Sequence, residues 1–136
     1  MSNDDRLAVF IGHWMTQGKT VAGVPIVGGD VYTWGPGGCV VMHPYHGLIG
    51  DLGVGGLEVI SPDPKTGQYG THFFDGEGNV SMQTLSLRDG VWYWLGPRTR
   101  CKGVFSEGGR KLTAHHERSD DGEQWAPSMT VTLRKI

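Results

Sequence analysis

The sequence predicts an all-β protein, a single antiparallel up-and-down barrel of about ten strands with at most a short N-terminal helix. Glycine accounts for 23 of the 136 residues, well above its average share of about 7%, and these glycines follow no three-residue period, which excludes collagen. Turn signals recur along the whole chain. The short segments between them are rich in Val, Thr, Trp, Tyr and Phe, which is the composition of strands.

Residue pairs that accept a positive φ divide the chain into hairpins. Asp89-Gly90 and Asp121-Gly122 are two of them, and such pairs are typical of tight β-turns. An up-and-down sheet of this size would leave long unpaired edges unless its first and last strands met. We therefore expect the sheet to close into a barrel.

Two segments depart from the strand pattern. Residues Asp4 to Phe10 predict a short helix that caps one end of the structure. The segment from Gly47 to Gly56 contains five glycines and predicts a flexible loop at one barrel mouth, either a solvent-exposed connection or a lid. Asp30 also lies among glycines and is interpreted as a loop residue.

The composition excludes several classes of protein. The chain has 12 Lys and Arg against 14 Asp and Glu, a formal net charge of −2, and it lacks the basic excess of a nucleic-acid surface. No run approaches the roughly 20 apolar residues of a membrane helix, and the N-terminus shows no secretory signal. Cys39 and Cys101 lie outside any CxxC spacing and indicate buried reduced thiols, with a disulfide or a reactive thiol as the alternatives. We expect one cytoplasmic domain over residues 1–136 that binds neither nucleic acid nor membrane.

A series of motifs resembles a known protein family. The first is Gly12-x-Trp14, at the start of the first predicted strand. The others follow in order: Tyr32-x-Trp34-x-Pro36-Gly37-Gly38, Glu58-Val59-Ile60-x-x-Asp63, Tyr69-x-x-x-Phe73-Phe74-Asp75-x-x-Gly78, Leu87-x-Asp89-Gly90-x-Trp92, Glu117-Arg118-Ser119-Asp120-Asp121-Gly122-x-x-Trp125 and Thr132-Leu133-x-Lys135. Over residues 7 to 136 the chain is similar to small bacterial calycin-like barrels, which resemble lipocalins and nitrobindins and form a domain family of unknown function.

The resemblance implies a barrel in which Trp14 plugs the closed end and the interior holds a small apolar molecule. Nitrobindins hold haem through a histidine near the C-terminal strands, so the resemblance leaves haem as an alternative cofactor, with His115 or His116 as its ligand. In one respect the chain departs from the family, because His116 stands before Glu117 where an aromatic residue is expected. Fold alone does not determine function.

Histidines are the first candidates for chemistry. Period-two alternation places His116 on the inner face of its strand and His115 on the outer face. The pattern does not decide which face of the strand carries His43, His46 or His72. Both rows of the segment that contains His43 and His46 are apolar, and His72 has aromatic residues on both faces of its strand. His43-x-x-His46 on a strand points its two rings to opposite faces, so no metal site is predicted.

A carboxylate and several aromatic residues complete the candidate site. Glu58 interrupts an apolar strand, and it is either an exposed residue or a buried carboxylate that acts as a general base with a histidine partner. Trp92 and Trp94 share one strand face, and large rings with N–H groups suit the wall of a ligand pocket. The predicted ligand-binding residues are Trp34, Tyr45, His46, Phe74, Trp92, Trp94 and Met129.

The leading hypothesis is therefore a barrel that binds a small, largely apolar ligand and needs no cofactor. The first alternative is a cofactor-independent isomerase, cyclase, lyase or hydrolase that uses His43, His72, His116 and Glu58 as acid and base. Haem binding of the nitrobindin type is the second alternative. A homodimer is compatible with the sequence, although no dimer surface is predicted.

Overall fold

The computed structural model describes residues 4–136, and these residues form a closed barrel of ten antiparallel strands. Each strand pairs with its neighbours in sequence, and the first pairs with the last. The strands are β1 (Gly12–Thr20), β2 (Pro25–Trp34), β3 (Val41–Ile49), β4 (Leu52–Asp63), β5 (Gln68–Asp75), β6 (Val80–Arg88), β7 (Val91–Leu95), β8 (Thr99–Ser106), β9 (Lys111–Arg118) and β10 (Ala126–Lys135). The predicted fold class is confirmed.

The helical content is limited to two 3₁₀ turns, Leu7–Phe10 and Glu107–Gly109. The first of them lies within the predicted N-terminal helix and covers one end of the barrel, which we call the closed end. Within residues 4–136 no helix has the length and apolar character needed to cross a membrane.

The prediction that Gly47 to Gly56 forms a loop or lid is wrong. Only Gly50 and Asp51 turn the chain, while the flanking residues belong to β3 and β4 and pair in register. A Cβ atom at Gly56 would lie 2.5 Å from the Phe74 carbonyl oxygen and 2.7 Å from the Tyr45 hydroxyl. Glycine is needed here because another residue would collide with neighbouring strands, and not because the segment is mobile.

The closed end is filled with large side chains. Phe10 and Trp14 are almost completely buried, and the indole N–H of Trp14 donates a 2.8 Å hydrogen bond to the Phe10 carbonyl oxygen. The Phe10 ring contacts those of Trp92 and Phe105 edge-on, with centroids 4.9 and 5.0 Å apart. These contacts seal the closed end, as the family resemblance implied for Trp14.

Candidate functional site

The opposite half of the barrel contains a cavity of about 580 Å³ that opens to solvent. We call this half the open end. The volume falls within the range of about 300–1,000 Å³ that is usual for small-molecule sites. Apolar atoms supply most of the cavity surface, and the side chains that contribute them include Ile26, Ile49, Val54, Phe73, Trp94, Leu112, Ala114, Met129, Val131 and Leu133.

Small residues occupy inner positions on two adjacent strands. Gly103 of β8 lies directly opposite Ala114 of β9. The Trp94 ring fills the space beside Gly103, where a Cβ would approach it to 2.9 Å. Ala114 lines the cavity with a single methyl group. Because a barrel of ten strands has a wide interior, this small side chain leaves space in front of it.

A cluster of three ionisable residues forms the polar floor of the cavity. His43 and Glu58 are directly opposite each other on β3 and β4, and His43 Nδ1 lies 2.7 Å from Glu58 Oε1. The other ring nitrogen, Nε2, lies 2.7 Å from Asp30 Oδ2 on β2. The imidazole is therefore held between two carboxylates. We refer to these residues as the Asp30–His43–Glu58 cluster.

Neighbouring side chains hold the cluster in place. The Thr16 hydroxyl donates to Asp30 Oδ1, and the Trp94 indole N–H donates to Glu58 Oε2 over 3.1 Å. The Tyr32 ring stacks on the His43 ring with centroids 3.8 Å apart. Each carboxylate oxygen in the cluster therefore has a hydrogen-bond partner, and the imidazole cannot rotate without breaking two of these hydrogen bonds.

The two carboxylates control the protonation of His43. Burial disfavours its charged form, but the hydrogen bonds to Asp30 and Glu58 outweigh that cost and raise the pKa of His43 from 6.5 to about 9. Burial, together with the charges of Glu58 and Asp30, also raises the pKa of Tyr32 well above 10.0. Tyr32 therefore stays protonated as a stacking partner.

A cysteine and a histidine lie together on the opposite wall. His116 Nε2 lies 3.6 Å from Cys101 Sγ. Burial and the charge of His115 lower the pKa of His116 to about 4, while burial and the charge of Glu58 raise the pKa of Cys101 to about 12. Both groups are therefore neutral at physiological pH. The pair lacks the thiolate that a nucleophilic cysteine requires.

The structure brings together some of the predicted acid–base residues and separates others. Glu58 is 1% exposed and His43 is 7% exposed, so Glu58 is the buried partner of a histidine. His116 lies on the far wall, and His115 is exposed, as the alternation predicted. His72 belongs to the outer row of β5 and is exposed, so it does not meet the other histidines.

The predicted ligand-binding residues divide in the same way. Tyr45, Trp94 and Met129 line the cavity, and His46 is an exposed residue at its border. The other three residues lie away from the cavity. Trp92 packs in the closed end, Trp34 packs against the core, and Phe74 is on the outer face.

Asp30 was missed as a site residue, because the glycines before it were interpreted as a loop. It lies instead within β2, paired with Tyr45 of β3. A signal was present in the sequence. Extending the alternation backwards from Tyr32 places Asp30 on the same face as that tyrosine.

A metal ion and haem place different demands on the side chains of this cavity. Among residues 4–136 no cluster of three or more His, Cys, Asp and Glu side chains could hold a metal ion. Haem needs only one neutral imidazole that faces an apolar cavity, and His116 is a residue of that type.

Comparison with known proteins confirms the barrel fold. No family model matches the chain, and no curated protein matches it. Among solved structures, it is similar to Rv2717c from M. tuberculosis (9% identity, TM-score 0.68, 99% of each chain). It is also similar to the S-type phycobiliprotein lyase from Guillardia theta (9% identity, TM-score 0.58, 100% of this chain and 93% of that chain). A third is a redesigned β-barrel bound to DFHBI (12% identity, TM-score 0.53, 93% and 99%). The chain therefore shares a β-barrel fold with these proteins.

Proposed function

We propose that the protein binds a small, largely apolar ligand in the open end of its barrel. The observation that carries this proposal is the cavity of about 580 Å³, whose walls are mainly aliphatic and aromatic and whose floor carries the Asp30–His43–Glu58 cluster. Apolar walls supply affinity, while a few fixed polar groups supply orientation. The redesigned barrel bound to DFHBI, which has the same architecture, supports this type of function.

The contacts around the cavity suit binding better than they suit a filled core. One inner position of β9 that lines the cavity carries Ala114, although a larger side chain would gain burial there. At the closed end the inner positions carry large aromatic residues such as Phe10 and Trp14. Empty space among apolar side chains costs stability, so we infer that the open end is kept hollow for an occupant.

The test uses N-phenyl-1-naphthylamine, an uncharged dye whose emission increases in apolar surroundings. The wild-type protein should bind one dye molecule per barrel, and the fluorescence should saturate as dye is added. Ala114→Trp fills the cavity and should weaken binding at least about tenfold. Thr113→Trp, the matched control, adds the same ring to the outer face of the same strand and should bind like wild type. Absence of saturable binding, or equal binding by the two variants, would contradict the proposal.

The mass of the native protein tests the same proposal without an added ligand. A molecule retained from the expression host should appear as an adduct in the native mass spectrum and disappear on denaturation. An adduct with the mass of haem would favour His116 as an axial ligand over the largely apolar ligand proposed above.

The Asp30–His43–Glu58 cluster favours one further candidate, a cofactor-independent enzyme that transfers protons. Carboxylates and imidazoles hydrogen-bonded at 2.7 Å are suited to hold and pass a proton. An enzyme of this kind would exchange an acidic C–H of its bound substrate for deuterium in D₂O. Exchange that is equally fast with Asp30→Asn and wild-type protein would contradict the enzymatic role and leave the binding role intact.

A further inference from the structure

The charge of the cavity floor follows from counting protons. Two carboxylates each face one ring nitrogen of His43 at 2.7 Å, so both short contacts need a proton. The cluster therefore holds two protons, whether His43 is an imidazolium between two carboxylates or a neutral imidazole beside one carboxylic acid. Both arrangements have the same net charge of −1. The floor is anionic wherever the shared proton lies.

The other charged groups of the lining do not neutralise the floor. Arg100 is the arginine among the lining residues, and its Nε donates a 2.7 Å hydrogen bond to Glu117 while its guanidinium lies over the Trp125 ring at 4.3 Å. Asp75 adds another carboxylate to the lining. His116 is neutral, because burial lowers its pKa to about 4. An apolar cavity with an uncompensated negative charge remains.

Asp30 is the member of the cluster that a ligand meets first. Its side chain is 15% exposed, compared with 9% for His43 and 2% for Glu58. Each Asp30 carboxyl oxygen has one hydrogen-bond partner, Thr16 or His43, and keeps further acceptor capacity. The aromatic ring of Tyr45, its cross-strand neighbour, lines the cavity beside it. A carboxylate beside an aromatic ring is a favourable site for an organic cation.

We propose that the ligand is a lipophilic ammonium ion, an amine with an apolar body, whose charged nitrogen pairs with Asp30 at the cavity floor. This inference rests on the proposed binding function and specifies the ligand class. The apolar walls take the body of the ligand, while its N–H groups donate to Asp30 and its charge faces Tyr45. Apolar surroundings strengthen the attraction. A carboxylate ligand of the same shape is repelled by the same floor.

Three ligands with one ring system and three head groups test this inference. They are 2-naphthylmethylamine, 2-naphthylmethanol and 2-naphthoate, and each is measured by its displacement of N-phenyl-1-naphthylamine at neutral pH. The amine should bind at least about tenfold more tightly than the alcohol, and the carboxylate should bind most weakly. The wild-type protein is sufficient for this test. If it binds the amine and the alcohol equally, or prefers the carboxylate, the inference is overturned.

Variants assign the preference to the floor. Asp30→Asn should bring the affinity for the amine down to that for the alcohol while it keeps dye binding, which also reports that the barrel is folded. Asp51→Asn removes an exposed carboxylate of the turn between β3 and β4, outside the cavity lining, and should keep the amine preference. If Asp51→Asn abolishes the preference and Asp30→Asn keeps it, the site assignment is wrong. If the wild-type protein does not bind the dye at all, the proposed function fails as well, and the two failures are thereby distinguished.

Discussion

The two ends of the barrel obey the same alternation of inner and outer residues, yet one end is solid and the other is hollow. At the closed end, Phe10, Trp14 and Trp92 meet beneath the first 3₁₀ turn and leave almost none of their surface exposed. At the open end, Ala114 and Val131 face a cavity of about 580 Å³. Stability is therefore concentrated in one half, and the space for a ligand lies in the other.

The largest expected effect comes from removing one aromatic ring from each end. Phe10 is completely buried in the closed end, while Phe73 is half-buried and lines the cavity. Phe10→Ala should lower the free energy of unfolding by about 3–5 kcal/mol, the usual cost of such a cavity in a core. Phe73→Ala loses less burial and should cost less than about 2 kcal/mol. Urea denaturation followed by tryptophan fluorescence measures both values, and equal losses would contradict the contrast between the ends.

Glycine substitutions test the corrected description of β4 and should have an intermediate effect. A Cβ at Gly56 would collide with the Phe74 carbonyl oxygen and the Tyr45 hydroxyl, whereas a Cβ at Gly53 would meet nothing within 4 Å. Gly56→Ala should destabilise the protein by about 1–3 kcal/mol, and Gly53→Ala should change its stability by less than about 0.5 kcal/mol. If both substitutions are harmless, the segment behaves as the loop that the sequence suggested.

Per pH unit, the smallest of these effects is a dependence of stability on pH. The pKa of His43 rises from 6.5 to about 9, so between these values the folded protein keeps a proton that the unfolded chain releases. The free energy of unfolding should therefore fall as the pH rises through this range. The pKa of His116 falls from 6.5 to about 4, so stability should also fall as the pH drops through that lower range. Each group contributes a slope of at most about 1.4 kcal/mol per pH unit.

Two variants separate these contributions. Urea denaturation at a series of pH values should show that His43→Gln flattens the alkaline side of the profile and keeps the acidic side. His116→Gln should do the reverse. An alkaline side that is unchanged in His43→Gln would show that another group is responsible, and the assigned protonation of the cavity floor would be wrong.

Sequence patterns predicted the barrel because the alternation of inner and outer residues is a local property. The same patterns could not locate residues along the barrel axis. Trp92 and Trp94 have the same orientation, but Trp92 packs under the first 3₁₀ turn and Trp94 reaches the cavity. Which of the two lies in the closed end depends on where that turn covers the barrel. A sequence pattern of a few residues does not contain this information.

The missed parts of the site have a related cause. Asp30 was interpreted as a loop residue because glycine usually weakens strands. The chain keeps glycine beside it for close strand contacts, since a Cβ at Gly28 would lie 2.5 Å from the His46 carbonyl oxygen. Such a requirement arises from a strand distant in sequence. For Phe73 and Phe74 the error was one of register, because two adjacent aromatic residues fit either face of a strand.

The central claim, that only the open end holds a ligand, is tested most directly by the tryptophan side chains themselves. The protein has five tryptophans, whose indole N–H signals can be assigned in ¹H–¹⁵N spectra with single Trp→Phe variants. On titration with 2-naphthylmethylamine, the signal of Trp94 should shift, because this residue lines the cavity and donates to Glu58. The signals of Trp14 and Trp92 should stay in place. Shifts at Trp14 or Trp92 with no shift at Trp94 would contradict the account.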